Sequence, residues 1–144
     1  MNKKLRIYLA GHVPEYEYRK YCIENYGDEF ELLDPIAMVP EDQDYITIVE
    51  DDKKLIETSD ILIAFIEKAS FGTGMEIPYA YELDLPVFIV NPNGKYMDDT
   101  WLRYHSKKMF RSLDECFSYI KETYVKWKNK LKMKGVLNGE KFKE

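Results

Sequence analysis

Four short apolar runs, at residues 5–10, 30–33, 61–65 and 87–90, recur along the chain without helical period, and amphipathic stretches separate them. A run that is apolar at successive positions suits a strand covered on both faces, as happens in parallel sheets with helices on either side. Parallel neighbours also need a long crossover, which the amphipathic stretches supply. The alternation predicts an α/β fold: a doubly wound, mostly parallel five-stranded sheet of order 2-1-3-4-5 with helices on both faces, the fifth strand near residues 108–110. In that order the topological switch lies between strands one and three. A ligand is therefore expected beyond their C-terminal ends, against the loops at 11–14 and 66–73.

The helices have readable ends. Residues 14–26 carry Pro14 in the first turn and stop at Gly27. Residues 44–58 place Ile46, Val49 and Ile56 at near-helical spacing. A third helix is expected from Thr73 or Gly74 to about Leu83, ended by Asp84-Leu85-Pro86. The last opens on the capping box Ser112-Leu113-Asp114-Glu115 and is expected to run through Trp127 to about Lys134. With 144 residues and no linker or repeat, the chain reads as one domain over 1–134 followed by a flexible tail over 135–144.

Composition narrows the function classes. Two cysteines, Cys22 and Cys116, both in helical segments and without a CxxC pattern, point to a reducing compartment. The acids do not cluster at ligand spacing, so no metal and no cofactor are called for. The first apolar stretch is too short for a signal h-region or a span, so a soluble, cytoplasmic protein with no membrane partner is expected. Of the net charge of -5, the segment from Ser118 onward contributes +5, from eight lysines and three glutamates, and the rest of the chain -10. An acidic body does not grip nucleic acid through its phosphates, and the tail lysines alternate as on a solvated helix end.

Chemistry is expected at the switch point. Ser70-Phe71-Gly72-Thr73-Gly74 is a small-residue loop that lets a ligand approach backbone amides. Glu76 follows it as the fourth residue of Thr73-Gly74-Met75-Glu76. By local pattern this is a capping box, in which Thr73 and Glu76 satisfy helix-end donors. By position, the glycines also let the carboxylate face a pocket. His12, just past strand one, stands where a donor to a ligand oxygen is useful, and its other reading is a solvent-exposed histidine.

Four motifs in order, Ile7-Tyr8-Leu9-Ala10-Gly11, Asp60-Ile61-Leu62-Ile63-Ala64, Gly72-Thr73-Gly74-Met75-Glu76-Ile77-Pro78-Tyr79-Ala80 and Leu85-Pro86-Val87, resemble the nucleoside 2-deoxyribosyltransferase family, in register from about residue 5 to 91. The resemblance implies that Glu76 attacks the anomeric carbon, forming a glycosyl ester as the base departs, and that a second base or water takes the sugar. It implies that the Tyr8 hydroxyl holds that nucleophile and that Asp52, with Asp51 as a rival, lies near sugar and base. Gly11, His12, Ser70, Gly72, Thr73 and Gly74 are the expected substrate-binding positions. Asp60 matches a family aspartate entering strand three, with a turn-capping role as its alternative.

Two departures bear on the acceptor. Transferases of the family carry an acid six positions before the nucleophile, where this chain has Ser70, a pattern closer to the related 2′-deoxynucleoside 5′-phosphate N-hydrolases. Those hydrolases follow strand one with a glycine- and arginine-bearing phosphate loop, whereas this chain has Gly11-His12-Val13-Pro14-Glu15-Tyr16. Only Arg19 is nearby to compensate, and its plain reading is a surface arginine.

Family members complete their sites from a neighbouring subunit, so the resemblance implies a homo-oligomer, dimer or higher, with shared active sites. Asp99 and Trp101, in the aromatic segment after strand four, are the candidates to reach a partner's pocket. The leading expectation is transfer of deoxyribosyl between a nucleoside and a free nucleobase. The alternatives are hydrolysis of nucleosides or their 5′-monophosphates, and a nucleotide-binding module without turnover.

Overall fold

The computed structural model describes residues 3–12, 16–40 and 42–126. In chain order they form β1 (Arg6–Gly11), α1 (Tyr16–Tyr26), β2 (Glu31–Leu33), α2 (Pro35–Met38), α3 (Tyr45–Glu57), β3 (Ile61–Phe65), α4 (Phe71–Glu82), β4 (Val87–Val90), α5 (Thr100–His105), β5 (Lys108–Phe110) and α6 (Leu113–Ile120), which runs into a π-helical turn at Lys121–Val125. The five strands make one sheet of order β2-β1-β3-β4-β5, every pairing parallel, as the alternation of apolar runs predicts.

Period-two geometry sends successive strand residues to opposite faces, and each face has its own core. Ile7, Leu9, Ile61, Ile63, Phe88 and Val90 pack with Tyr18, Cys22, Cys116, Phe117 and Ile120 of α1 and α6. Tyr8, Ala10, Leu62, Ala64, Val87 and Ile89 pack with Ile56, Ile77 and Ala80 of α3 and α4. Tyr8 therefore shares a face with α4, and that parity matters for the site.

Several helix ends differ from the sequence expectation. The third predicted helix, α4, starts at Phe71, ahead of Thr73 and Gly74, with Ser70 as an N-cap that makes no side-chain capping bond. The Thr73 and Glu76 pair is not a capping box, because the Glu76 carboxylate is turned to Tyr8 and Thr73 Oγ1 has no partner among the described residues. Inside α4, Pro78 brings no N–H for the carbonyl of Gly74. The second predicted helix, α3, does open on Asp44, whose carboxylate accepts from Thr47 N at 2.9 Å. Of the residues that gave it helical spacing, Ile46 and Val49 are exposed and Ile56 is buried, since the C-terminal part of α3 is what packs on the sheet.

The capping box at Ser112 forms, with Ser112 Oγ accepting from Glu115 N at 3.1 Å. The regular α-helix ends at Ile120 and the chain continues in the π-helical turn. The expected extension beyond residue 126, the tail over 135–144 and the Pro14 start of α1 lie outside the described residues. α2 and α5 were not expected. Both are short and begin on aspartate N-caps, Asp34 and Asp99.

Candidate functional site

At the C-terminal ends of β1 and β3, α4 begins beside Gly11 and Phe65, which pair across the two strands. Thr73, Ile77 and Ala80 form the buried stripe of α4, at i, i+4 and i+7. Glu76 flanks that stripe, three residues from Thr73, so both project from one face of the helix toward the strand ends. Tyr8 comes from the sheet below. Its hydroxyl donates to Glu76 Oε2 at 2.5 Å, the short distance expected when the acceptor is charged.

Gly11 is needed for close packing here: a Cβ at this position would lie 2.9 Å from Tyr18 Cε2. The ring of Tyr18 in turn stacks on Phe65, centroids 4.6 Å apart. That contact braces the ends of β1 and β3 against α1.

A cavity of about 450 Å³ opens over this point, within the size range of small-molecule sites. Gly11, Arg19, Asp52, Ser70, Gly72, Thr73 and Glu76 line it, with Pro35, Ile36, Val39, Pro40 and Ile48 as its apolar wall. A second cavity of about 320 Å³, lined by Val49, Lys53, Ile56, Met75 and Tyr79, shares Asp52, Gly72 and Glu76 with the first. Glu76 thus stands where two cavities meet. A third, of about 190 Å³, shares Ser70 and Thr73 with the first and adds Gly74, Tyr96 and Asp99.

The electrostatics follow from burial. Glu76 is pushed up to about 7, chiefly by loss of solvent, with the Tyr8 hydrogen bond pulling down, the Asp52 charge pushing up and Arg19 pulling down. Asp52 is pushed up to about 6 by burial and by neighbouring Asp51, against the pull of Arg19. Tyr8 is held well above the ordinary phenol range by burial and by the Glu76 charge, so it remains a donor. Two carboxyl groups that titrate near neutrality across one cavity can share nucleophile and proton-transfer work.

The structure brings Tyr8, Gly11, Asp52, Ser70, Gly72, Thr73 and Glu76 together, and places Gly74 around the helix at the third cavity. Asp99 also borders that third cavity, where its carboxylate caps α5 by accepting from Leu102 N at 2.9 Å. Trp101 is 76% exposed and stacks on the His105 ring, and it is not among the described residues lining these cavities. His12 is half-buried rather than solvent-exposed, and its Nδ1 has no partner among the described residues. Asp60 accepts from Arg6 N at 2.9 Å, at the opposite ends of the strands from Glu76.

Arg19 corrects its sequence reading, because only 3% of it is exposed and its guanidinium is bound to carbonyl oxygens. The wall at 35–40 was missed altogether, although Asp34 followed by Pro35 is a legible helix start. Met75, Tyr79, Val49 and Lys53 were missed because they reach the site from helix faces, with no local motif. Among the described residues no three His, Cys, Asp or Glu side chains group as a metal site.

No family model matches the chain, and no curated protein matches it. Solved structures do. A 2-deoxyribosyltransferase from Bacillus psychrosaccharolyticus superposes with a TM-score of 0.66 at 18% identity, over 77% of this chain and 89% of that one. A 2-deoxyribosyltransferase from Leishmania mexicana gives 0.64 at 20% identity, over 83% and 99%. A CMP N-glycosidase from Clostridium botulinum gives 0.56 at 18% identity, over 81% and 97%. The chain shares the fold of these proteins along nearly their whole length.

Proposed function

We propose that the chain is an enzyme of the nucleoside 2-deoxyribosyltransferase family, cleaving the N-glycosidic bond of 2′-deoxynucleosides and passing the deoxyribosyl group to another nucleobase. The observation that carries this reading is the Tyr8-bound carboxylate of Glu76 at the meeting point of two cavities. A nucleoside is two bodies joined at one carbon. With the sugar in the larger cavity, beside Ser70 and Thr73, and the base among Val49, Met75 and Tyr79, that carbon falls next to Glu76.

In the first step a Glu76 oxygen forms a bond to C1′ while the C1′–N bond breaks, its electron pair leaving with the base. Asp52 gives the departing nitrogen a proton. In the second step the nitrogen of an incoming base bonds to C1′, the ester breaks, and Asp52 recovers a proton. Tyr8 holds the carboxylate in place throughout and takes up part of its charge.

Hydrolysis is the second reading, and Ser70 favours it. The transferases that the chain resembles carry an acid at this loop position; the serine here gives an incoming base no carboxylate to bind, whereas an attacking water needs none. The guanidinium of Arg19 is occupied by carbonyl oxygens, which supports a substrate without a 5′-phosphate under either reading. Exposed Trp101 is proposed to meet a second copy of the chain in a homo-oligomer.

The test is mass spectrometry of the protein mixed with a 2-fluoro-2-deoxynucleoside, where a sugar adduct on Glu76 is expected. Absence of any adduct together with full activity of Glu76→Gln would remove the nucleophile. Products from a deoxynucleoside with and without a second free base then separate transfer from hydrolysis.

A further inference from the structure

Arg19 is the one basic side chain lining the larger cavity among the described residues, and it is buried, with 3% of its surface exposed. Its Nη2 donates to Gly11 O at 3.0 Å, its Nε to Leu9 O at 3.3 Å and its Nη1 to His12 O at 3.4 Å. Leu9 and Gly11 are in the C-terminal half of β1, the strand that carries Tyr8, and His12 follows it directly. Its Nε also lies 3.5 Å from Asp34 Oδ1. The same Oδ1 caps α2, accepting from Ile36 N at 3.0 Å.

We infer that Arg19 is a positioning residue of the site: its guanidinium ties the end of β1 to the Asp34-capped wall of the cavity and sets a fixed positive charge facing Glu76 and Asp52. This rests on the proposed role of Glu76. A buried arginine bonded to neutral carbonyls keeps its charge, and the low-dielectric surroundings carry that charge farther than water would. The groups facing Glu76 are Tyr8 from β1, Asp52 from α3 with Asp51 beside it, Lys53 at the edge of the second cavity, and Arg19 from α1 with its partner Asp34. Arg19 opposes Asp52 at the position where a nucleophile has to be ionised. Asp34 tempers it, so the charge felt at Glu76 is set by the pair.

The test is the titration of the Glu76 carboxyl, followed by carbon NMR of glutamate-labelled protein without substrate, in wild type, Arg19→Lys, Arg19→Gln and Asp34→Asn. Asparagine is itself a good N-cap, so Asp34→Asn removes the negative charge and leaves α2 capped. The expected midpoint rises by about half a unit or more in Arg19→Gln, stays near wild type in Arg19→Lys, and falls in Asp34→Asn.

Midpoints that do not move, or that move the same way in Arg19→Gln and Asp34→Asn, would overturn the inference and leave Arg19 as packing. If Arg19→Gln does not fold, Asp34→Asn alone decides, and an unmoved midpoint there is the overturning result. The titration needs no turnover. A protein that titrates as expected but acts on no nucleoside would sink the functional reading and leave this one standing.

Discussion

The Tyr8 hydroxyl reaches Glu76 Oε2 across the interval between β1 and the first turns of α4, at 2.5 Å. The bond stabilises the ionised carboxylate, and burial is what it works against. Tyr8→Phe keeps the packed ring and removes the donor. A hydrogen bond to a charged group is worth about 1.5–3 kcal/mol, so kcat/KM at pH 7 should fall roughly ten- to hundredfold. The acid limb of the pH profile should move to higher pH, while the melting temperature changes little. A profile that keeps its wild-type midpoint would mean that the bond does not tune Glu76.

Glu76 also makes stability depend on pH with an unusual sign. Its folded value, about 7, lies above the ordinary 4.5, so between those pH values the folded protein keeps a proton that the unfolded chain has released. The group's contribution is therefore fully favourable below about 4.5 and is lost as pH rises through about 7; Asp52, at about 6, acts in the same direction. Glu76→Gln cannot ionise and still offers Tyr8 an acceptor oxygen. It should gain about 1–3 kcal/mol over wild type at pH 8 and almost nothing at pH 4, measured by urea denaturation. A gain that is the same at both pH values would show that ionisation is not its source.

Thr73 is 4% exposed, and its hydroxyl has no partner among the described residues although it lines two cavities. A buried hydroxyl without a partner costs about 1–3 kcal/mol. Thr73→Val replaces it at nearly constant shape, so the variant should melt at the same temperature or a few degrees higher. If the hydroxyl meets a substrate oxygen, KM should rise about tenfold with kcat nearly unchanged. A lower melting temperature would place the hydroxyl in the protein's own hydrogen bonding instead.

What was legible in the chain divides along the same line as Thr73. Strand order and the position of the cavity could be read because the strands buried on both faces, above all β3 and β4, are apolar at every position and topology then places the switch point. The Tyr8 and Glu76 pair came from the family resemblance, since 68 residues separate them and no local pattern links the two. At Thr73 the local pattern left two readings open, because the same spacing that can close a helix end also points two side chains into a pocket, and only the tertiary partner decides. Arg19 and the wall at 35–40 were hidden for a similar reason. An arginine that is spent on carbonyls looks, in sequence, like one in water.

Asp60 offers a contrast with Asp52, since both match family aspartates and only Asp52 borders the cavities that hold Glu76. Asp60 Oδ2 accepts from Arg6 N at 2.9 Å at the other end of β1, where it helps fix the starts of β1 and β3. Asp60→Ala leaves a part-buried backbone N–H without its acceptor, which should cost about 1–3 kcal/mol. Activity per folded molecule should be unchanged at a temperature well below the transition. Asp52→Ala should do the reverse, lowering kcat by roughly a hundredfold with little loss of stability, as expected for a proton-transfer group. Denaturation curves and initial rates on both variants check this, and an inactive but fully stable Asp60→Ala would move that aspartate into the catalytic machinery.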